Sequence, residues 1–153
     1  MRSPKKGLSD QALGRSRGGV GTKLHLLVDE AQRLMSICLS PGQASDYRYG
    51  PELIKTAGKE GIAIVCADKG YDSEGLRKEI RELRMRPVIP KRGNSMQSPD
   101  FCPEVYRQRN RIERFIGRLK ENRRVATRYD KKAATYATFI FLAAIKNWLR
   151  IIC

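Results

Sequence analysis

Histidine is nearly missing from this chain of 153 residues: His25 is the only one. The four cysteines, Cys38, Cys66, Cys102 and Cys153, stand far apart, and none are paired at metal-ligand spacing. Together these scarcities argue against a zinc site. Cys38 and Cys66 lie inside apolar runs and read as small core residues of a reduced compartment, so a cytoplasmic location is expected. Long apolar runs are missing too. The longest, Phe139–Ile145, has seven residues, far short of the roughly 20 that span a bilayer, so no membrane association is expected. At Met1–Gly7 basic residues are not followed by an apolar core, which speaks against a signal peptide. Aromatics make up only 7% of the chain. They form no cluster of the kind a stacking RNA-binding sheet displays, which counts against a general RNA-binding protein. Acid is scarce as well: 16 acidic residues face 31 basic ones, leaving a net charge of +15. Such an excess implies an anionic partner, and nucleic acid is the commonest.

What is present is enough for one folded domain. Apolar residues are 41% of the chain, and the length suffices for a single core. Residues 1–21 are polar and glycine-rich, and read as a flexible basic arm. Thr22–Asp29 and Arg33–Leu39 read as two strands joined by the Asp29–Gln32 turn. Ser45 or Asp46 is placed to cap a helix from Tyr47 to Ala57 that stops at Gly58. Ile62–Ala67 is a continuous apolar run, the pattern of a strand buried on both faces, with Asp68 just past its carboxyl end. In open α/β sheets that end is where ligands bind. Asp72 or Ser73 is placed to cap a second helix to Arg84, and Met85–Ile89 is a further short strand. After an exposed loop, Pro103 opens a helix expected to run to about Arg123. Ala134–Ile152 reads as a last helix, apolar nearly all round and therefore buried. The element order predicts a mixed α/β sheet flanked by helices.

The charge concentrates in one stretch. Arg107 to Arg128 holds nine basic and two acidic residues, which by charge alone reads equally as a solvated surface or as a polyanion-binding face. Read as one helix, Tyr106–Lys120 gathers Val105, Ile112, Phe115, Ile116 and Leu119 on a core face, and Arg107, Arg111, Arg114 and Arg118 on another. Arg123 and Arg124 extend the basic run. Tyr106, Arg109, Glu113 and Lys120 then fall within about 60° of one another. A single glutamate is thereby ringed by cations. As an ordinary surface feature, Arg109 and Glu113 would be an i, i+4 ion pair worth a few tenths of a kcal/mol. Asp68 and Asp72 have an equally plain reading as turn and capping residues, and His25 as a strand residue of the hairpin.

Tyr106, Arg109, Glu113 and Lys120 reproduce the spacing Y-(2)-R-(3)-E-(6)-K. This resembles the signature around the last catalytic acid of insertion-sequence transposases of the DDE type. The flanks NRIERFIGRLK and RRVATRYDK are similar to that family, as is ADKGYDS at 67–73, which resembles the site of its second catalytic aspartate. GRSRGG at 14–19 and TKLHLLVD at 22–29 resemble its upstream part. The resemblance covers nearly the whole chain from about Gln11. It implies a ribonuclease-H-like mixed sheet, with residues 22–153 as the catalytic domain. It also implies Mg²⁺ or Mn²⁺ as cofactor, with two ions in a complete site, and a DNA substrate comprising element ends and target. Asp68 and Glu113 would be metal ligands and catalytic residues. Tyr106, Arg107, Arg109, Arg111, Arg114, Arg118, Lys120, Arg123 and Arg124 would face DNA.

One departure stands out. The family's first catalytic aspartate lies on the first strand of the sheet, further ahead of the GRSRGG-like segment than this chain extends. Only Asp10 precedes that segment, and Asp29 falls at a non-catalytic position. The expectation is therefore a partial catalytic domain, truncated or split between reading frames, that lacks its first strand. Its partner would be an N-terminal transposase fragment or a second copy. A sheet without a central strand exposes an unpaired edge, so marginal stability or association is expected. The competing expectation is a non-catalytic DNA-binding fragment that regulates transposition.

Overall fold

The computed structural model describes residues 11–93 and 96–152. Residues 1–10 of the arm expected at residues 1–21, Asp10 included, lie outside them. The described chain comprises β1 (Gly14–Ser16), β2 (Gly19–Val28), β3 (Leu34–Pro41), α1 (Gly50–Lys59), β4 (Ile64–Cys66), α2 (Glu74–Glu82), β5 (Arg86–Val88), α3 (Pro103–Arg107), α4 (Asn110–Lys120), α5 (Arg123–Ala126) and α6 (Ala133–Ile152). It divides into two compact units, residues 45–111 and residues 1–44 with 112–153. No described helix is long and apolar enough to cross a membrane.

The unit formed by both ends of the chain is built on an antiparallel sheet, β1-β2-β3. The hairpin expected from TKLHLLVD is there, with Leu24 opposite Leu39 and Leu26 opposite Ile37. Its turn is closed locally: Asp29 Oδ1 accepts the Arg33 N–H at 2.8 Å, and Oδ2 accepts Arg33 Nε at 2.6 Å. This is the side-chain-to-backbone bonding that makes aspartate a turn former. Gly14–Ser16 pairs with Gly19–Gly21, so this part of the expected flexible arm is a strand pair instead. Leu26, Phe115, Leu119, Val125, Tyr136 and Ile140 form the core, with Ala143 and Ala144. The buried stripe of α6 is narrower than its composition predicts. Phe141, Leu142, Ile145, Trp148 and Leu149 are exposed, because only the face bearing Tyr136, Ile140, Ala143 and Ala144 meets the core.

The unit of residues 45–111 is a parallel β4-β5 pair joined through α2, the crossover that parallel strands require. Leu53, Ile54, Ala57, Val65, Leu76, Ile80, Met85, Val88 and Ile89 are buried in it. The first helix begins later than expected. Asp46–Arg48 is a separate 3-10 turn without a side-chain cap from Ser45, and α1 starts at Gly50 with Pro51 in its first turn. Gly50 must stay small, since a Cβ there would stand 2.7 Å from Leu76 Cδ2. The helix passes Gly58 and ends before Gly61, whose φ of +68° supplies the left-handed stop that glycine favours.

Two further expectations change. Ile64 is 41% exposed, so β4 is not covered on both faces. The described strands also hydrogen-bond as two sheets, β1-β2-β3 and β4-β5, where one mixed sheet was expected.

Candidate functional site

Asp68 follows β4 by two residues, at its carboxyl end as read from the sequence. It is exposed. Its side chain caps the 3-10 turn Lys69–Tyr71, with Oδ1 accepting the Gly70 N–H at 2.7 Å. The local capping role and an available carboxylate thus coexist, because one oxygen suffices for the cap. A Cβ on Gly70 would stand 2.7 Å from Asp46 Oδ2 and 2.8 Å from Asp68 Oδ1. Two carboxylates therefore crowd the small volume over this glycine, and any side chain there would displace them. Asp46, 22 positions earlier in the sequence, carried no signal that it belonged here.

Asp72 does not cap α2. Ser73 takes the capping position and makes no side-chain bond there. Asp72 is held instead between two arginines. Arg77 Nη2 donates to Asp72 Oδ1 at 2.7 Å and to the Ile89 carbonyl at 2.9 Å. The Arg92 N–H donates to Asp72 Oδ2 at 2.8 Å. Burial raises the Asp72 pKa, but the bonds from Arg77 and Arg92 outweigh it and hold the carboxyl below the usual aspartate range. The Arg92 guanidinium then reaches back to the turn, with Nε on the Lys69 carbonyl at 2.8 Å and Nη2 on the Gly70 carbonyl at 2.6 Å. Arg77 is only 1% exposed, and its Nη1 has no partner among the described residues.

The signature residues do not share one helix. The single helix expected over 103–123 is two, α3 and α4, and a further short helix, α5, begins at Arg123. At the first break Gln108, Arg109 and Arg111 donate to the carbonyls of Val105, Tyr106 and Gln108, three residues back in each case. This tighter winding advances each residue by about 120° rather than 100°, which shifts the phase assumed on a continuous wheel. Tyr106, on α3, packs tilted against Phe101 with ring centroids 5.4 Å apart. The Arg109 guanidinium lies 5.4 Å from the Tyr106 ring centroid. Tyr106, Arg109 and Asp68 belong to the unit of residues 45–111, whereas Glu113 and Lys120 belong to the other. Glu113 and Lys120 are both exposed on α4, and a spacing of seven keeps them on one face within about 20°. The opposite face of α4 buries Phe115 and Leu119.

The basic residues sort into two groups. Arg107, Arg114, Lys120 and Arg123 are exposed, and Arg111 is half-buried. Arg118 is committed to the fold: it donates to Gln32 Oε1 in the hairpin turn, and its Nε is buried. Arg124 stacks over Phe139, 4.5 Å from the centroid, and pairs with Asp130 at 3.5 Å. Arg128 donates to Thr22 and lies 5.4 Å from the Tyr136 centroid, where burial lowers its pKa. Arg123 and Arg124, with Lys146 from α6, line an open hollow of about 460 Å³. Lys146 was not foreseen, since only the packing of α6 brings it beside α5.

His25 is buried, with Nε2 2.8 Å from Ser40 Oγ, as a hairpin residue should be. Among the described residues, no three histidine, cysteine, aspartate or glutamate side chains gather to hold a metal ion.

Comparison with known proteins gives a consistent result. A family model described as a transposase DDE domain matches residues 4–148. A Brucella ovis protein named as a transposase for insertion sequence element IS6501 is 32% identical over 130 residues, covering 84% of this chain and 98% of that protein. A Burkholderia cepacia protein named as a transposase for IS402 is 33% identical over 79 residues, covering 52% of this chain and 35% of that protein. No solved structure matches the chain.

Proposed function

The chain belongs to the DDE transposase family of insertion sequences, and from that premise we propose that it is a partial catalytic domain for DNA transposition. The complete enzyme cuts DNA at the element ends and joins the 3′-hydroxyls to target DNA. The observation that carries this reading is the coincidence of Y-(2)-R-(3)-E-(6)-K at 106–120 with ADKGYDS at 67–73, inside a family match to residues 4–148.

In this reading Asp68 and Glu113 are the second and third metal-binding carboxylates. Both are exposed, and carboxylate oxygens are the donors that Mg²⁺ or Mn²⁺ requires. When bound, such ions, two in a complete site, activate the attacking hydroxyl and stabilise charge on the phosphate. Asp68 uses Oδ1 for the Gly70 N–H and retains Oδ2 for a cation. Arg107, Arg111, Arg114, Lys120 and Arg123 contact DNA phosphates, and Arg109 with Tyr106 positions the strand. Arg118 and Arg124 contribute less, being tied to Gln32 and to Phe139 and Asp130.

The first carboxylate comes from a strand outside this chain, in an N-terminal transposase fragment. A ribonuclease-H-like sheet deprived of its central first strand separates into two hydrogen-bonded parts. The described strands, which form two sheets, support that reading.

The purified chain is expected to bind duplex DNA with a steep salt dependence and to nick it weakly or not at all in Mg²⁺. Robust nicking by the chain alone would overturn the partial-domain reading. Failure to bind DNA at low salt would overturn the assignment to DNA.

A further inference from the structure

We propose that Arg92 is a positioning residue that, together with Asp72 and Arg77, fixes the turn presenting the Asp68 carboxylate. The inference rests on the reading of Asp68 as a metal ligand.

The geometry is that of a turn fastened at both ends. Lys69–Tyr71 is a single 3-10 turn, too short to hold its own shape through helical hydrogen bonds. At its start the Asp68 side chain takes the Gly70 N–H. At its end the Lys69 carbonyl accepts the Asp72 N–H at 3.2 Å, and the Arg92 guanidinium adds a bond to that carbonyl and one to the Gly70 carbonyl, at 2.8 and 2.6 Å. The planar fork of an arginine suits two neighbouring acceptors, which a lysine ammonium serves less well. Arg92 is itself anchored, because its backbone N–H is bound by Asp72 Oδ2. The other oxygen of Asp72 is held by the buried Arg77. Arg77 also grips the Ile89 carbonyl, just past β5. The chain of bonds therefore runs from the β5 end through Arg77, Asp72 and Arg92 to the Lys69 and Gly70 carbonyls, whose turn Asp68 caps.

A ligand carboxylate with a loose backbone binds a cation weakly, because its rotamer and backbone must be ordered on binding. The peptide units that Arg92 holds are those whose N–H groups orient Asp68. Arg92 acts at one remove from the carboxylate, through the shape of the turn.

The test is an electron paramagnetic resonance titration of Mn²⁺ into the full chain, for wild type, Asp68→Asn, Arg92→Ala and Arg92→Lys. A thermal melt of each serves as control. Wild type is expected to bind Mn²⁺ and Asp68→Asn to lose it. Arg92→Ala is expected to bind about ten-fold more weakly, with its melt close to wild type because the residue lies in an exposed loop, and Arg92→Lys to recover part of the loss. Wild-type affinity in a folded Arg92→Ala protein overturns the positioning role while leaving Asp68 as a ligand. Should Arg92→Ala fail to fold, Arg92→Gln, which keeps a donor for one carbonyl, takes its place under the same criterion. Mn²⁺ binding unchanged in Asp68→Asn, or absent from wild type, overturns the metal reading of Asp68 and this inference with it.

Discussion

In residues 45–111, Asp68 stands on a three-residue turn held by Arg92, Asp72 and Arg77. In the other unit, Glu113 rides the exposed side of α4 while Phe115 and Leu119 bury the side behind it. One acid is thus fastened by directional, charge-dependent hydrogen bonds and the other by apolar packing. Hydrogen bonds fix where a short turn points, at the expense of sensitivity to pH and to the loss of a single partner. Packing makes a helix rigid and is indifferent to pH, but it is sensitive to the removal of buried volume. The two units should therefore fail under different perturbations.

The largest effect is expected from packing. Phe115→Ala removes a ring that is 1% exposed and should cost about 4 kcal/mol in urea denaturation. Arg77→Met should cost about 1.5 kcal/mol, because Asp72 loses a buried partner but keeps the Arg92 N–H. If Arg77→Met proves neutral, the polar fastening is not a source of stability and the contrast between the units weakens. Next comes acid. The lowered native pKa of Asp72 means that its contribution is fully present above the ordinary aspartate pKa near 4. That contribution is lost as the pH falls through the lower native value. Asp72→Asn should remove this part of the acid sensitivity, whereas Phe115→Ala should leave it intact, as melts between pH 7 and pH 2 would register.

A smaller effect separates the two groups of arginines. Arg114→Ala should weaken DNA binding and reduce the salt slope by about one counterion, with the melt unchanged. Arg118→Ala should lower stability, since Arg118 ties α4 to the Gln32 turn, and should move the salt slope less. The smallest expected change is in the stability of Glu113→Gln, within about 0.5 kcal/mol for an exposed position.

Much of this was legible in the residues. The TKLHLLVD hairpin, β4 and the position of Asp68 just past its end follow from apolar runs and turn chemistry, which are local. The break at Gln108–Arg109 was not, because Tyr106–Lys120 has helix-compatible periodicity throughout, and a 3-10 turn leaves no compositional mark. Nor was the fastening of the Asp68 turn. Arg92 lies 24 positions from Asp68 and bonds to backbone carbonyls, which every residue carries. Asp72 read as a cap because capping is the commonest use of an aspartate before a helix, and only the buried Arg77 redirects it. The exposed face of α6 was hidden for a similar reason: composition reports how apolar a helix is, not how much of it is covered.

The function proposed above requires that Glu113 serve a catalytic site completed by a strand from outside this chain. The most direct test is Mg²⁺-dependent cleavage of element-end DNA by the full chain, supplemented in trans with the polypeptide encoded just upstream of the Met1 codon, for wild type and Glu113→Gln. Cleavage is expected to appear on supplementation and to vanish in Glu113→Gln while DNA binding persists. Cleavage that survives Glu113→Gln, or its absence with every upstream frame supplied, would contradict the proposed function and favour a non-catalytic DNA-binding role.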